Sequence, residues 1–346
     1  MDAWEAAKNA LECGLEAKKG DSIVIFCDDE KMDVGQAFAE GALKLELQTR
    51  LMQLKTRPDC FRKEIPQQLI ETLTRQTSDV YVNLLRGIRE ETPFRIKLIK
   101  LETRGGKIRL GHCPGVTLDM LTKGALALTT KEHLRMQAFA GRLIEKLSQA
   151  VRVEITNPSG TDVSLSVEGR RFFTDTKIAL KGMKWMNLPT GEVIVAPVEN
   201  SLEGRLVCDM AIGGVGPIKV PVEITVKNGK AQDFSSVNTQ VLRRVKDSLN
   251  IDAGASVVGE FAFGINPKAR FVEEFLEAEK MLGTVHIAFG DNSNMLDGKN
   301  PSKSHMDFLM SNPTVRIFDK DGSRIDVLAN GAFQSLPLQH QKRLND

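Results

Sequence analysis

The feature that most constrains the fold is a change in hydrophobic pattern near residue 150. Before it, short continuous apolar runs such as "SIVIFC" (22–27) and "DVYVNLL" (79–85) alternate with helical periodicity, as in "VGQAFAEGALKLEL" (34–47). Continuous apolar runs are typical of strands buried on both faces, and alternation with helices is typical of a parallel sheet. We therefore expect an open α/β domain with a mostly parallel sheet over residues 1–128.

Beyond residue 150 the pattern becomes that of half-buried strands. "VRVEITNPSGTDVSLSVEGR" (151–170) and "VPVEITVKNGKAQDF" (220–234) alternate apolar and polar residues around turn signals, one of them Asn228-Gly229. A helix is expected over residues 129–149, with Thr130 as its N-cap, and further helices over 238–250 and 269–282. The prediction is an α/β protein: an open α/β domain, a connecting helix, and a β-rich α+β metal-binding domain over residues 150–346.

Composition argues against several classes of partner. The net charge is +2 and the chain has one tyrosine and two tryptophans, so no nucleic-acid surface is expected. No apolar run approaches the roughly 18 residues of a membrane span, and no G-x-G-x-x-G follows the first strand, which argues against a dinucleotide. The five cysteines lack a C-x-x-C pattern, which is typical of reduced thiols in a cytoplasmic protein.

The histidines are few enough to weigh one at a time. His133 is expected on a solvated helix face, His340 in a polar tail, and His112 in a structural loop position. His305 and Asp307 stand at i and i+2 in "SKSHMDF", so on a strand both side chains point to one face. A histidine and a carboxylate on one face suit a divalent metal, although a half-buried His–Asp pair without metal is an alternative.

Three further residues strengthen the metal interpretation. Glu192, Glu260 and His286 lie in apolar segments where buried strands are expected. An ionised glutamate inside such a strand is costly unless it is paired or binds a metal, although either glutamate alone would fit an exposed strand end. With His305 and Asp307 the set reaches five donors, more than a closed structural zinc site uses. Five donors suit two divalent metals that share a carboxylate and activate a water.

These segments resemble the M29 metallopeptidase family, the group of aminopeptidases T and S. The resemblance rests on ordered motifs over roughly residues 185–335, namely "LPTGEV" (188–193), Gly259-Glu260 followed by "GINP" (264–267), "HIAFG" (286–290), "SKSHMD" (302–307) and Asp321-Gly322 with "NGAF" (330–333). The N-terminal half is similar only in general character.

The resemblance implies an activity and a set of ligands. It implies that Glu192, Glu260, His286, His305 and Asp307 hold two divalent ions and that a homodimer releases N-terminal residues from small peptides. We expect zinc, cobalt or manganese, with Glu260 as the bridging carboxylate and Glu192 as a ligand or general base. Lys299 and Asn300, in the loop before His305, are candidate substrate contacts, and a solvated turn is the alternative for both.

Two other functions stay open from sequence. The related 2,5-dihydroxypyridine dioxygenases use one ferrous ion held by two histidines and a carboxylate, and His286, His305 and Asp307 would match that set. In those enzymes a histidine stands where this chain has Glu260. The metal-site tyrosine of the peptidases has no counterpart in "GDNSNMLDG" (290–298), where Asp291 or a water would replace it or a single metal would bind. A non-catalytic metal-binding protein is the remaining alternative.

Overall fold

The computed structural model describes residues 1–75, 77–181 and 184–334, and His340 lies outside them. The chain forms two compact units, each built from separated segments. Of the described residues, the first unit comprises those within 1–136, 174–191 and 266–280, and the second comprises those within 137–173, 192–265 and 281–334. The predicted division into 1–128, 129–149 and 150–346 stays a prediction.

The described helices include one of 18 residues and several of a single turn. In chain order the α-helices are α1 (Ala3–Asn9), α2 (Met32–Lys44), α3 (Gln67–Arg75), α4 (Thr92–Glu102), α5 (Leu118–Thr122), α6 (Thr130–Leu147), α7 (Ile178–Lys181), α8 (Thr239–Leu249) and α9 (Phe275–Ala278), and a π-helical turn (Ala10–Gly14) continues α1. Among the described residues, no helix combines the length and the apolar character needed to cross a bilayer.

The strands form one parallel sheet and two antiparallel sheets. In chain order they are β1 (Ser22–Asp28), β2 (Gln48–Leu54), β3 (Val80–Leu84), β4 (Arg109–His112), β5 (Ala150–Thr156), β6 (Asp162–Ser166), β7 (Phe173–Thr174), β8 (Trp185–Asn187), β9 (Glu192–Val195), β10 (Glu203–Cys208), β11 (Ala211–Ile212), β12 (Gly216–Pro217), β13 (Val222–Lys227), β14 (Lys230–Ser235), β15 (Val258–Gly264), β16 (Val285–Gly290), β17 (His305–Met310), β18 (Thr314–Asp319), β19 (Arg324–Ala329) and β20 (Ala332–Phe333).

The first unit contains the parallel sheet, in the order β2-β1-β3-β4-β8. Alternate residues of β1 enter two different apolar clusters, with Ile23 and Ile25 in one and Val24 and Phe26 in the other. A strand buried on both faces explains why its sequence is a continuous apolar run. The predicted fold class, an α/β layer with a parallel sheet followed by β-rich structure, is confirmed.

Four local predictions in the first unit are wrong. His112, expected in a loop, is the last residue of β4 and pairs with Asn83 and Asn187. Thr129, not Thr130, caps α6, because its hydroxyl accepts from the Glu132 amide while Glu132 accepts from the Thr129 amide, in a capping box. His133 is buried rather than solvated. The helix predicted over 269–282 shrinks to the four residues of α9, because the Glu277 carboxylate accepts from the backbone and side chain of Arg270 and folds the segment back.

A buried ion-pair cluster stands at the carboxyl end of β1 and β3. Arg62 bonds both Asp28 and Glu91, and Arg86 bonds Glu91 at 2.5 Å. Burial by itself would raise the pKa of Glu91, but the hydrogen bonds from Arg86 and Arg62 outweigh it and hold the pKa at about 2. The ion pairs of Glu91 therefore stabilise the first unit only while Glu91 is ionised.

This cluster predicts an acid-sensitive contribution to stability. Because the pKa of Glu91 falls from its ordinary 4.5 to about 2 on folding, its contribution is complete above pH 4.5 and is lost as the pH falls toward 2. Between pH 6 and pH 3, the stability advantage of wild type over Glu91→Gln should shrink by about 2 kcal/mol. Urea unfolding followed by fluorescence reports on the first unit, since Trp4 and Trp185 both lie there. An advantage that stays constant with pH would contradict the assignment.

The second unit contains both antiparallel sheets. One sheet has eight strands in the order β14-β13-β10-β6-β5-β18-β19-β20, and the other has seven in the order β12-β11-β17-β16-β15-β9-β7. The predicted hairpin between β13 and β14 is present, with Asn228 and Gly229 both at positive φ. The seven-stranded sheet carries all five predicted metal donors.

Candidate metal centre

The strand register brings the five predicted donors to one face of the seven-stranded sheet. Residues paired across antiparallel strands point to the same face. The pairs that matter are Glu192 with Gly264, Ala262 with His286, Glu260 with Ala288, Ala288 with Asp307, and Gly290 with His305. Because side chains on one strand share a face at every second position, these pairs place all five donors together.

Small residues stand between the donors on this face. On the two central strands, β15 and β16, the positions that alternate with them are Ala262, Gly264, Ala288 and Gly290. None has a side chain longer than a methyl group, so the donor atoms can meet above them. A β-bulge at Gly259 shifts the register of β15 just before Glu260, and such bulges re-aim side chains next to functional sites.

The donor atoms converge closely. The Nε2 atom of His286 lies 3.3 Å from Glu260 Oε1, 3.7 Å from Glu192 Oε1 and 3.8 Å from Asp307 Oδ1. The Nε2 atom of His305 lies 3.3 Å from Glu260 Oε2 and 3.2 Å from Asp307 Oδ1. Glu260 thus presents one carboxylate oxygen to each imidazole, which is the arrangement expected of a carboxylate shared by two centres.

These separations fit a metal ion. Two ligands bound at 2.0–2.1 Å in a tetrahedron are about 3.3 Å apart, close to the 3.2–3.8 Å between imidazole nitrogens and carboxylate oxygens here. Donor atoms of Glu260, His286 and Asp307 all lie within 4.8 Å of one another. Nitrogen and carboxylate oxygen donors suit zinc, cobalt, manganese or iron. The residues present therefore fit a divalent cation.

The electrostatics of this face favour positive charge. Burial lowers the pKa of His286, but Glu260, Glu192 and Asp307 outweigh it and raise that pKa to about 9. Burial also lowers the pKa of His305, and Asp307 and Glu260 raise it well above its usual range. Burial raises the pKa of Glu260, but the two imidazoles hold it well below its usual range. Three carboxylates in a desolvated site require such compensation by cations.

A backbone carbonyl orients His305. Its Nδ1 atom lies 2.8 Å from the carbonyl oxygen of Asp291, so Nδ1 donates and Nε2 faces Glu260 and Asp307. An oriented second nitrogen is typical of metal-binding histidines. The Asp291 carboxylate itself accepts from the Ser293 hydroxyl and the Ser302 amide. In the segment where the family tyrosine is missing, Asp291 thus contributes its backbone to the site and uses its carboxylate in the loop.

The two predicted substrate contacts hold different positions. Lys299 is exposed, and its amide donates to Glu199. The side-chain amide of Asn300 donates to the carbonyl oxygens of Gly254 and Gly290. Asn300 therefore fixes the loop to β16, and the solvent-facing Lys299 is the freer of the two. A substrate-binding role for either residue stays a prediction.

Sequence reasoning missed the interaction between two of its own motifs. In the first unit Gly191 has φ +136, and a Cβ there would lie 2.5 Å from the Cβ of Asn266. The Asn266 amide donates to the carbonyl oxygens of Thr190 and Ala125. The glycine of "PTGE" and the asparagine of "GINP" therefore dock together immediately before Glu192. In the sequence, the position of Gly191 and Asn266 directly beside predicted strands was the one signal that could have indicated this contact.

Gly213 is a second residue with no earlier signal. Its amide donates to the Asp307 carbonyl oxygen at 2.9 Å, and a Cβ at Gly213 would lie 2.9 Å from Asp307 Oδ2. The turn between β11 and β12 thus passes directly beside a predicted ligand. Only the absence of a side chain allows this close approach.

The fold and the donor set define a candidate metal-dependent α/β enzyme. The model of the thermophilic metalloprotease (M29) family matches residues 131–333, and the chain belongs to that family. The match supports a metal-dependent peptidase. No curated protein is similar enough in sequence to be matched.

Two solved structures share the fold over nearly their whole length. A 2,5-dihydroxypyridine dioxygenase from Pseudomonas putida KT2440 has a TM-score of 0.69 and 16% identity, and the match covers 96% of this chain and 97% of that one. Wild-type AmpT from Thermus thermophilus has a TM-score of 0.68 and 17% identity, and the match covers 96% and 98%. At this identity the likeness establishes the fold.

Proposed function

We propose that the protein is a metal-dependent aminopeptidase that releases N-terminal residues from small peptides. The observation that carries the proposal is the single sheet face with three carboxylates and two imidazoles, in a chain of the M29 family. Glu192, Glu260, His286, His305 and Asp307 would hold two divalent ions, zinc, cobalt or manganese. A homodimer and a cytoplasmic location stay predictions.

The positions of Glu260 and Glu192 in the donor set suggest a different role for each. Metal bound here would lower the pKa of a water to about 7 and polarise the scissile carbonyl. Glu260 lies between both imidazoles and would hold the two halves of the donor set together. Glu192 lies at the edge of the set, 3.7 Å from His286. It would serve as a ligand or as the general base that passes a proton to the leaving amine.

Metal content and exopeptidase turnover test this proposal together. Protein purified without added metal should contain close to two equivalents of divalent metal per chain. It should release p-nitroaniline from aminoacyl-p-nitroanilides, and chelation should abolish turnover. N-acetylated substrates serve as the matched control, because a true aminopeptidase requires the free amine. Equal turnover of both would point to another peptidase class, and metal at trace level would overturn the proposal.

The dioxygenase alternative gives a different result in the same preparation. It requires one iron per chain and oxygen consumption with a dihydroxylated aromatic ring. The contact of Glu260 with both imidazoles favours the peptidase, since a two-histidine, one-carboxylate iron site keeps its other positions open for substrates, and a second carboxylate would occupy one of them. Iron at one equivalent with ring-dependent oxygen uptake would replace our assignment.

A further inference from the structure

The loop between β16 and β17 carries two apolar side chains to the donor face. Met295 and Leu296 pack against a buried cluster of Phe173, Ile194 and Ala262, all in the second unit. Both loop residues remain partly exposed, whereas the three cluster residues are buried. We call these five residues the apolar wall.

The wall adjoins the predicted metal donors. Ile194 pairs with Ala262, and Ala262 pairs with His286, so the three lie side by side on one face. Neighbouring strands are about 4.8 Å apart. Ile194 also follows Glu192 by two residues on the same face of β9. The wall therefore begins one strand away from His286.

Polar anchors hold the loop in place. The Asn292 amide donates to the Gly259 carbonyl oxygen at 3.1 Å, and the Asn300 amide donates to that of Gly290 at 2.7 Å. Between them, Asp297 accepts from the backbone and guanidinium of Arg171, two residues before Phe173. This ion pair thus joins the segment that carries Phe173 to the loop that carries Met295 and Leu296. A preformed apolar surface of this kind binds a ligand at a lower entropic cost.

We propose that the wall binds the side chain of the substrate residue whose carbonyl is attacked, and that the enzyme prefers aliphatic residues there. This proposal rests on the proposed function and names its substrate class. An aliphatic side chain would cover the exposed parts of Met295 and Leu296 and gain the free energy of apolar burial. A charged side chain would lose hydration against this apolar surface. It would gain no ion pair from Arg171 or Asp297 in return, because these two residues already neutralise each other.

Turnover of matched substrates tests the preference. Wild type should hydrolyse leucine p-nitroanilide at least about tenfold more efficiently than alanine p-nitroanilide, measured as kcat/KM. In the double variant Met295→Ala/Leu296→Ala that ratio should fall at least about fivefold. Val237→Ala is the matched control, since Val237 is 82% exposed in the same unit, and its ratio should equal that of wild type. An unchanged ratio in the double variant would show that the wall only packs, and would overturn the proposal.

A binding measurement separates this proposal from the proposed function. By calorimetry, L-leucine hydroxamate should bind metal-loaded wild type at least about tenfold more tightly than glycine hydroxamate, and the double variant should lose most of that difference. Wall-dependent binding without any peptidase turnover would reject the proposed function and retain the wall. Turnover with no difference between the two hydroxamates, or no binding of either, would reject the wall. Thermal unfolding of the double variant checks that it is folded.

Discussion

Replacing Glu260 by glutamine is expected to remove bound metal and to lower kcat/KM at least about a hundredfold. Among the described residues, Glu260 is the carboxylate that places a separate oxygen 3.3 Å from each imidazole, so its charge serves both halves of the donor set. Loss of residues that merely orient ligands costs 10- to 100-fold, and loss of a shared ligand should cost no less. His305→Ala should behave similarly, because it removes the imidazole that faces Glu260 and Asp307.

Metal analysis and kinetics on the same preparation check this result. Glu223→Gln is the matched control, because Glu223 lies in the same unit but pairs with Arg205 in the eight-stranded sheet. It should retain full metal content and activity. A Glu260→Gln protein with wild-type metal stoichiometry and rate would show that Glu260 is not a ligand.

Gly290→Ala is expected to destabilise the protein by about 3–5 kcal/mol and to weaken metal binding. Gly290 has φ +114, and an alanine Cβ there would lie 2.0 Å from the carbonyl oxygen of Ser304. Left-handed backbone costs an alanine about 1–2 kcal/mol, and a clash with rigid backbone adds several more. Relief of the clash would move Ser304 and the adjoining His305, which starts β17.

Gly322→Ala separates the cost of backbone strain at positive φ from the cost of the clash. Gly322 also has positive φ (+85), but a Cβ there meets nothing within 4 Å. It should therefore cost only the backbone strain, about 1–2 kcal/mol, and leave metal content unchanged. Urea denaturation and metal analysis of both variants provide the measurement. Equal destabilisation by the two substitutions would mean that the contact between Gly290 and Ser304 is relieved without moving β17.

The hydrophobic pattern of the sequence was sufficient to predict the α/β fold class. The run "SIVIFC" predicted a strand buried on both faces, and β1 is such a strand. It was also sufficient to place His305 and Asp307 on one face, because alternation along a strand is a local property of the backbone. The other three donors, Glu192, Glu260 and His286, became candidates because they lie in apolar strand segments, where a buried glutamate needs a partner, and the family motifs then joined the five into one set.

Local pattern failed where distant contacts decide the outcome. The segment 269–282 has helical periodicity, yet Arg270 bonds Asp119, Glu277 accepts from the Ala125 amide, and only one turn of helix remains. His133 stands among charged residues in sequence and is buried all the same. In the first case tertiary contacts outweigh helix propensity, which amounts to a few tenths of a kcal/mol per residue, and in the second the packing of α6 decides which of its faces is buried.

The sequence by itself determined which residues can bind a metal, because donor chemistry and strand periodicity are properties of single segments. Only the tertiary structure decided that they meet. The register of β9, β15, β16 and β17, adjusted by the bulge at Gly259, sets Glu260 between His286 and His305. The tertiary structure also placed the loop that carries Met295 and Leu296 against Ile194, beside the donor face of the sheet. Register depends on pairing between segments far apart in the chain, and a shift of one residue would turn the donors to the opposite face.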